Sequence, residues 1–247
     1  MAIPQRSTRS NWGSGAIEDD FSPRGWRYWD MTIWLVVVNV AVFIADLISG
    51  GLLSEWGAFS CSSAISGLQL WRFISFQFLH ADVFHLLFNM LSLYYFGRFV
   101  EARLQKRNML VFYLLCGIAG PLMMLLLWRM QFLAVTASTQ LVGASAGVFG
   151  VLVAAACISP KLTIRLLFPP VALYLRTVVI GLLALAILTI VRDGWNAGGE
   201  AAHLGGAVAG FFLIRNVGVL DRVSRRKRHR FWKPGDPSTS FFRTPPP

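Results

Sequence analysis

Long stretches of this chain carry almost no charge, and that constrains its fold more than any other feature. Apolar runs cover roughly residues 31–50, 84–100, 109–128, 141–158, 171–191 and 201–214. A helix needs roughly 20 mostly apolar residues to cross the hydrocarbon core of a bilayer. Five of the runs meet or approach that length, and the sixth, "AAHLGGAVAGFFLI", is shorter. Only 14% of the chain is charged, against about 25% in ordinary soluble domains. The first run follows about thirty polar residues, unlike a cleavable signal peptide. The pattern predicts an all-α, polytopic membrane protein with a six-helix domain over 31–215. Residues 1–30 and 216–247 are then flexible or disordered tails.

The charges that remain give the expected orientation. Of the 23 Lys and Arg residues, only Arg72, Arg129 and Arg192 fall in the first, third and fifth loops. The others lie in the two tails and the second and fourth loops, and cytoplasmic loops are the ones enriched in Lys and Arg. Both termini are therefore expected inside, which requires an even number of crossings. The net charge of +11 has the same origin. The basic segment "RVSRRKRHRFWKPG" reads as a cytoplasmic anchor on anionic lipid rather than as a nucleic-acid site. The lipid bilayer is thus an expected partner and nucleic acid is not. Cys61, Cys116 and Cys157 are scattered and odd in number, so they predict neither a disulfide framework nor a metal site.

In such a chain, polar residues inside the apolar runs are candidates for function. His85 and Asn89 open the second run at i, i+4 spacing, which puts them on one helix face. Ser145 opens the fourth run and His203 the sixth. In an inside-to-inside topology the second, fourth and sixth helices all start at the outer face, so these groups lie at one depth. A hydroxyl, an imidazole able to deprotonate it and further donors form a chemically sensible set for nucleophilic catalysis. His203 is the candidate base. The Ser145 N–H, at a helix start, is an orphan donor suited to an oxyanion, and His85 and Asn89 add donors. Gly143, Ala144, Ala146 and Gly147 leave room for a substrate backbone. Gly206 and Gly210 form a GxxxG face that lets helices approach closely, with Gly147, Gly150 and Ala154 as small partners.

Each feature has a plainer reading on its own. Ser145 can bond a carbonyl one turn earlier, GxxxG is common in membrane helices, and His85 with Asn89 fits a structural network or a proton path. "GASAG" also matches the G-x-S-x-G elbow of α/β-hydrolases, but that motif needs a preceding strand in a soluble sheet. Asp193, between serine and histidine in the sequence, lies in an outer loop beside Arg192. The elbow is a chance match; the combination of polar groups is what points to chemistry.

These residues resemble the rhomboid intramembrane serine proteases over roughly 31–215. "WRFISFQFLHADVFHLLFNM" resembles the family's first loop, with Trp71 and Arg72, leading into a His-x-x-x-Asn helix. "YYFGRFVE" resembles the end of that helix, with Glu101; "GASAG" resembles the G-x-S motif and "AHLGGAVAG" the A-H-x-x-G-x-x-x-G helix. The resemblance implies a Ser–His dyad, with Ser145 as nucleophile and His203 as base. It implies an oxyanion hole from His85, Asn89 and the Ser145 amide, and no acid orienting the histidine. It further implies cleavage of single-pass transmembrane proteins near the outer membrane boundary, no metal or cofactor, and residence in a bacterial-type cell membrane. Arg72 is expected to tie the first loop through backbone bonds, and Glu101 to be structural. His80 is either a support behind the site or a loop packing residue. Two positions depart from the family pattern. Ala146 stands where Gly is commoner and brings a methyl close to the oxyanion backbone. Phe149 replaces a Tyr that stacks on the histidine, and Phe can still stack. A catalytically silent adaptor of the same fold and a small-solute transporter are the alternatives. The sequence sets no oligomeric state.

Overall fold

Helices dominate the computed structural model, which describes residues 30–165, 171–192 and 194–223. In chain order they are α1 (Met31–Ile48), α2 (Leu52–Gly57), α3 (Arg72–Ser75), α4 (Val83–Ser92), α5 (Arg98–Leu104), α6 (Lys106–Arg129), α7 (Ser145–Ile158), α8 (Leu175–Val191), α9 (Ala197–Arg215) and α10 (Val217–Val223). A π-helical turn, Leu93–Gly97, joins α4 to α5 without a break. One antiparallel hairpin pairs β1 (Thr163–Arg165) with β2 (Ala172–Tyr174).

Among the described residues, four helical segments are long and apolar enough to cross a membrane: Met31–Ile48, Val83–Leu104, Lys106–Arg129 and Ala197–Arg215. α7 and α8 are apolar but shorter. The 14 residues of α7 extend about 21 Å at 1.5 Å per residue. Large apolar side chains face outward along several helices, among them Phe84, Phe88, Ile180 and Phe212. Such a surface suits lipid rather than water.

Several expected boundaries shift. The fourth run does not become helical at 141: Leu141 forms an antiparallel bridge with Phe59, and α7 starts only at Ser145. The fifth begins as β2, since residues 172–174 pair with β1 before α8 starts. The sixth starts earlier than expected, at Ala197, which puts His203 two turns into α9 rather than at its start. The expected tail from 216 is also helical at first. In α10, Leu220 is fully buried and the Asn108 side chain donates to Asp221 at 2.8 Å. The remaining tail residues expected to be disordered, the basic segment from 224 onward and Asp193 all lie outside the described residues.

α9 packs chiefly on α6 and α7. The main core gathers residues of α4 to α7 with Leu175, Val179 and Ala207. A second cluster lies under the first loop and joins Phe59 and Phe76 to Met124, Leu141, Ala146, Ala201 and Ala202. The GxxxG face explains how close α7 and α9 come. A Cβ on Gly206 would overlap the Ala146 carbonyl, and one on Gly210 would sit 2.5 Å from the Gly150 Cα.

Glu101 fixes the start of α1. A helix leaves its first N–H groups without intrahelical partners. The buried Glu101 carboxylate accepts from the Met31 N–H at 2.7 Å, the Thr32 N–H at 2.8 Å and the Thr32 hydroxyl at 2.7 Å.

Candidate active site

The first loop holds the segment that leads into Ser145. Phe59 and Leu141 exchange both backbone hydrogen bonds, at 3.0 and 2.7 Å, and the Gly143 N–H donates to the Phe76 carbonyl at 2.9 Å. The Ser62 N–H adds a bond to the Ala137 carbonyl at 2.8 Å. Arg72 ties the loop itself: its guanidinium donates to the carbonyls of Glu55 and Ala58 and to the Gln69 side chain. The Trp71 indole donates to the Trp56 carbonyl at 3.1 Å. The pairing of 137–143 with this loop is not legible in the sequence, because strand-like pairing between two irregular segments leaves no periodicity.

Ser145 is the first residue of α7, and no side chain among the described residues caps that helix end. The N–H groups of its first turn are therefore available to a ligand carrying partial negative charge. The approach to this turn depends on Gly143, whose φ is +126°. A Cβ there would also lie 2.7 Å from both Cε1 and Nε2 of His85, and 3.7 Å from the Ser145 hydroxyl. The His85 ring and the hydroxyl thus face the same small space.

His203 comes to that space from α9. Its Nε2 lies 2.9 Å from the Ser145 Oγ. Its ring stacks on Phe149 with centroids 4.3 Å apart and planes 9° from parallel. The third contact departs from expectation. Glu200 Oε2 lies 3.0 Å from His203 Nδ1, one turn earlier on the same helix. Contrary to the expectation of no acid orienting the histidine, a carboxylate lies against its ring, and the i, i+3 spacing of Glu200 and His203 is visible in the sequence.

Asn89 is buried, and its amide nitrogen donates to the His85 carbonyl at 3.0 Å within α4. That bond uses one of the two amide N–H donors and braces the turn that carries His85. The Ala146 methyl does not crowd the hydroxyl side. It packs toward α6 and α9, 2.8 Å from where a Cβ of Gly120 would stand, beside Ala202. The space that Gly120 leaves on α6 accommodates it.

His80 lies behind His85, with ring centroids 5.1 Å apart. It is 4% exposed, and neither ring nitrogen meets a hydrogen-bond partner at good geometry. Burial, helped by the neighbouring His85, pushes its pKa down from 6.5 to about 4, against a small opposing effect of the Phe78 carbonyl and Asp82.

Fold and site together define a helical membrane protein in which a serine hydroxyl at a helix start meets an imidazole from a second helix. Residues 67–218 match the family model described as the Rhomboid domain; the chain belongs to the rhomboid family. It is 29% identical over 115 residues to proteins named rhomboid protease GlpG from Yersinia pestis (strain Pestoides F) and Yersinia pseudotuberculosis serotype O:3 (strain YPIII). Those alignments cover 43% of this chain and 41% of each relative. A further relative, rhomboid-like protease 3 of Toxoplasma gondii, is 30% identical over 128 residues, 48% of either chain. The chain spans less than half the length of the curated relatives it matches.

Proposed function

We propose that this chain is an intramembrane serine endopeptidase in which Ser145 is the nucleophile and His203 the general base. The observation that carries this reading is the 2.9 Å contact between His203 Nε2 and Ser145 Oγ at an uncapped helix end. The Ser145 oxygen attacks the scissile carbonyl while His203 Nε2 takes its proton. The tetrahedral oxyanion is held by N–H groups at the start of α7, including that of Ser145, and by the His85 ring. His203 then gives the proton to the leaving amine, and water, deprotonated by the same imidazole, releases the acyl group from Ser145. Each oxyanion donor is worth on the order of 10²–10³ in rate. Asn89 contributes by holding the His85 turn.

In this reading the six apolar helices all cross the bilayer with both termini inside, α7 and α8 completing their crossings with irregular residues. The distribution of Lys and Arg supports that orientation. Substrates are single-pass membrane proteins cut near the outer boundary of the bacterial cell membrane. Their helices must unwind locally, because a helical peptide bond is already hydrogen-bonded and shielded.

The test compares purified wild type with Ser145→Ala in detergent, using a labelled fluorophosphonate and a single-helix substrate. Wild type is expected to be labelled and to cut, and the variant to do neither. Cleavage by Ser145→Ala at the wild-type rate overturns the assignment. Substrate binding by wild type without labelling or cleavage makes the chain an adaptor.

A further inference from the structure

We propose that Glu200 is a positioning residue for His203, so that this chain works with a Glu–His–Ser line rather than with an unassisted pair. The proposal rests on the roles assigned above to Ser145 and His203. A neutral imidazole has one N–H donor and one acceptor nitrogen. To take the Ser145 proton, Nε2 must be the acceptor, which puts the ring proton on Nδ1. That proton needs an acceptor of its own. The Glu200 Oε2 atom stands 3.0 Å from Nδ1, while Nε2 on the far side of the ring stands 2.9 Å from Ser145 Oγ. An ionised carboxylate only accepts hydrogen bonds, so Glu200 selects the tautomer that leaves Nε2 free to act as base.

The setting makes this selection effective. The side chains of His203 and Glu200 are 16% and 23% exposed, so water competes weakly for either. Phe149 covers one ring face and prevents the imidazole from tilting away. Glu200 and His203 are three residues apart on one helix, so their register does not depend on how α9 meets α7. When Nε2 accepts the serine proton, the ring becomes a cation that is hydrogen-bonded to a carboxylate, a stronger bond than the neutral ring makes. The proton passes only from Oγ to Nε2; Glu200 stays ionised throughout.

The competing account makes Glu200 a helix-start acid, placed favourably for the α9 dipole. Kinetics and tautomer separate the two. Glu200→Ala is expected to lower kcat on a single-helix substrate about 10- to 100-fold, part of the roughly 10²–10⁴ that a positioned base supplies, with KM within twofold. Fluorophosphonate labelling slows in proportion. Glu200→Asp, which keeps the acceptor and the charge, recovers part of the loss. Ring ¹⁵N spectra of the four-histidine chain, assigned with His203→Ala, should show His203 protonated on Nδ1 in wild type and a mixture of tautomers in Glu200→Ala. Unchanged kcat or an unchanged tautomer in Glu200→Ala overturns the proposal. The tautomer is read without catalysis and also in the Ser145→Ala background. A wild type that cleaves nothing therefore sinks the protease reading alone, whereas a tautomer indifferent to Glu200 sinks this one alone.

Discussion

His203 Nε2 lies 2.9 Å from Ser145 Oγ across 58 residues of chain, and the distance is set one turn further along, where Gly206 rests on the Ala146 carbonyl. The residue next to the serine thus touches the residue three beyond the histidine. Any side chain at Gly206 must push α7 and α9 apart at the level of the reacting atoms.

Gly206→Ala is accordingly expected to cost about 1–3 kcal/mol by overpacking and to reduce cleavage at least tenfold. Gly181→Ala in α8 is the control, because a Cβ there meets nothing within 4 Å. That change should keep full activity and be neutral or stabilising by up to about 1 kcal/mol. Thermal unfolding in detergent and initial cleavage rates measure both; equal behaviour of the two variants would refute the packing argument.

Gly143→Ala should separate binding from chemistry. Its φ of +126° strains any L side chain, at about 1–3 kcal/mol, and the new methyl would press on the His85 ring. Displacing that ring removes one oxyanion donor, so kcat is expected to fall roughly 10²–10³-fold with a smaller change in KM. Steady-state kinetics on one substrate decides; a normal kcat would remove His85 from the oxyanion site.

The Glu101 carboxylate serves three donors at the start of α1. Glu101→Ala strands buried N–H groups, each worth about 1–3 kcal/mol, and should lower Tm without altering the site. A double-mutant cycle with Thr32→Val should give a coupling of roughly 0.5–3 kcal/mol, since the Thr32 hydroxyl donates to the same carboxylate. Additive losses would mean that the bond contributes nothing.

His80 makes stability depend on pH in a definite window. Its pKa is about 4 when folded, against 6.5 for an unhindered histidine. The unfolded chain takes up the proton first as pH falls. The contribution is fully present above about pH 6.5, is lost progressively toward pH 4 and is constant below that. Its size is at most roughly 3–4 kcal/mol, from about 1.4 kcal/mol per pH unit. Tm measured from pH 7.5 to 4 should fall more steeply for wild type than for His80→Phe; parallel curves would contradict the account.

Polar atoms in apolar surroundings were what the sequence displayed best. Ser145, His85 and His203 stood out because hydroxyls and imidazoles inside apolar runs demand a reason, and the GxxxG spacing suggested which helices meet. His203 Nε2 lies 2.9 Å from Ser145 Oγ, and the His85 ring borders the same space beside Gly143. Apolarity alone does not distinguish helix from extended backbone, so Leu141 and the residues of β2 fall inside runs that look helical, although they pair with Phe59 and with β1. Glu200 is not conspicuous in the sequence, because an acid near the start of a helix is ordinary there and this one is only half-buried. The pairing of the first loop with the segment before Ser145 had no periodic signature at all.

The bond from Glu101 back to Met31 and Thr32 also orders events in time. During synthesis the amides at the start of α1 emerge some seventy residues before the carboxylate that receives them. Until α5 is made, that end of the first helix has only water or headgroups as partners and remains frayed. The closure of α1 therefore comes well after its own synthesis, and it waits on the same continuous stretch of chain that carries His85 and Asn89 into place.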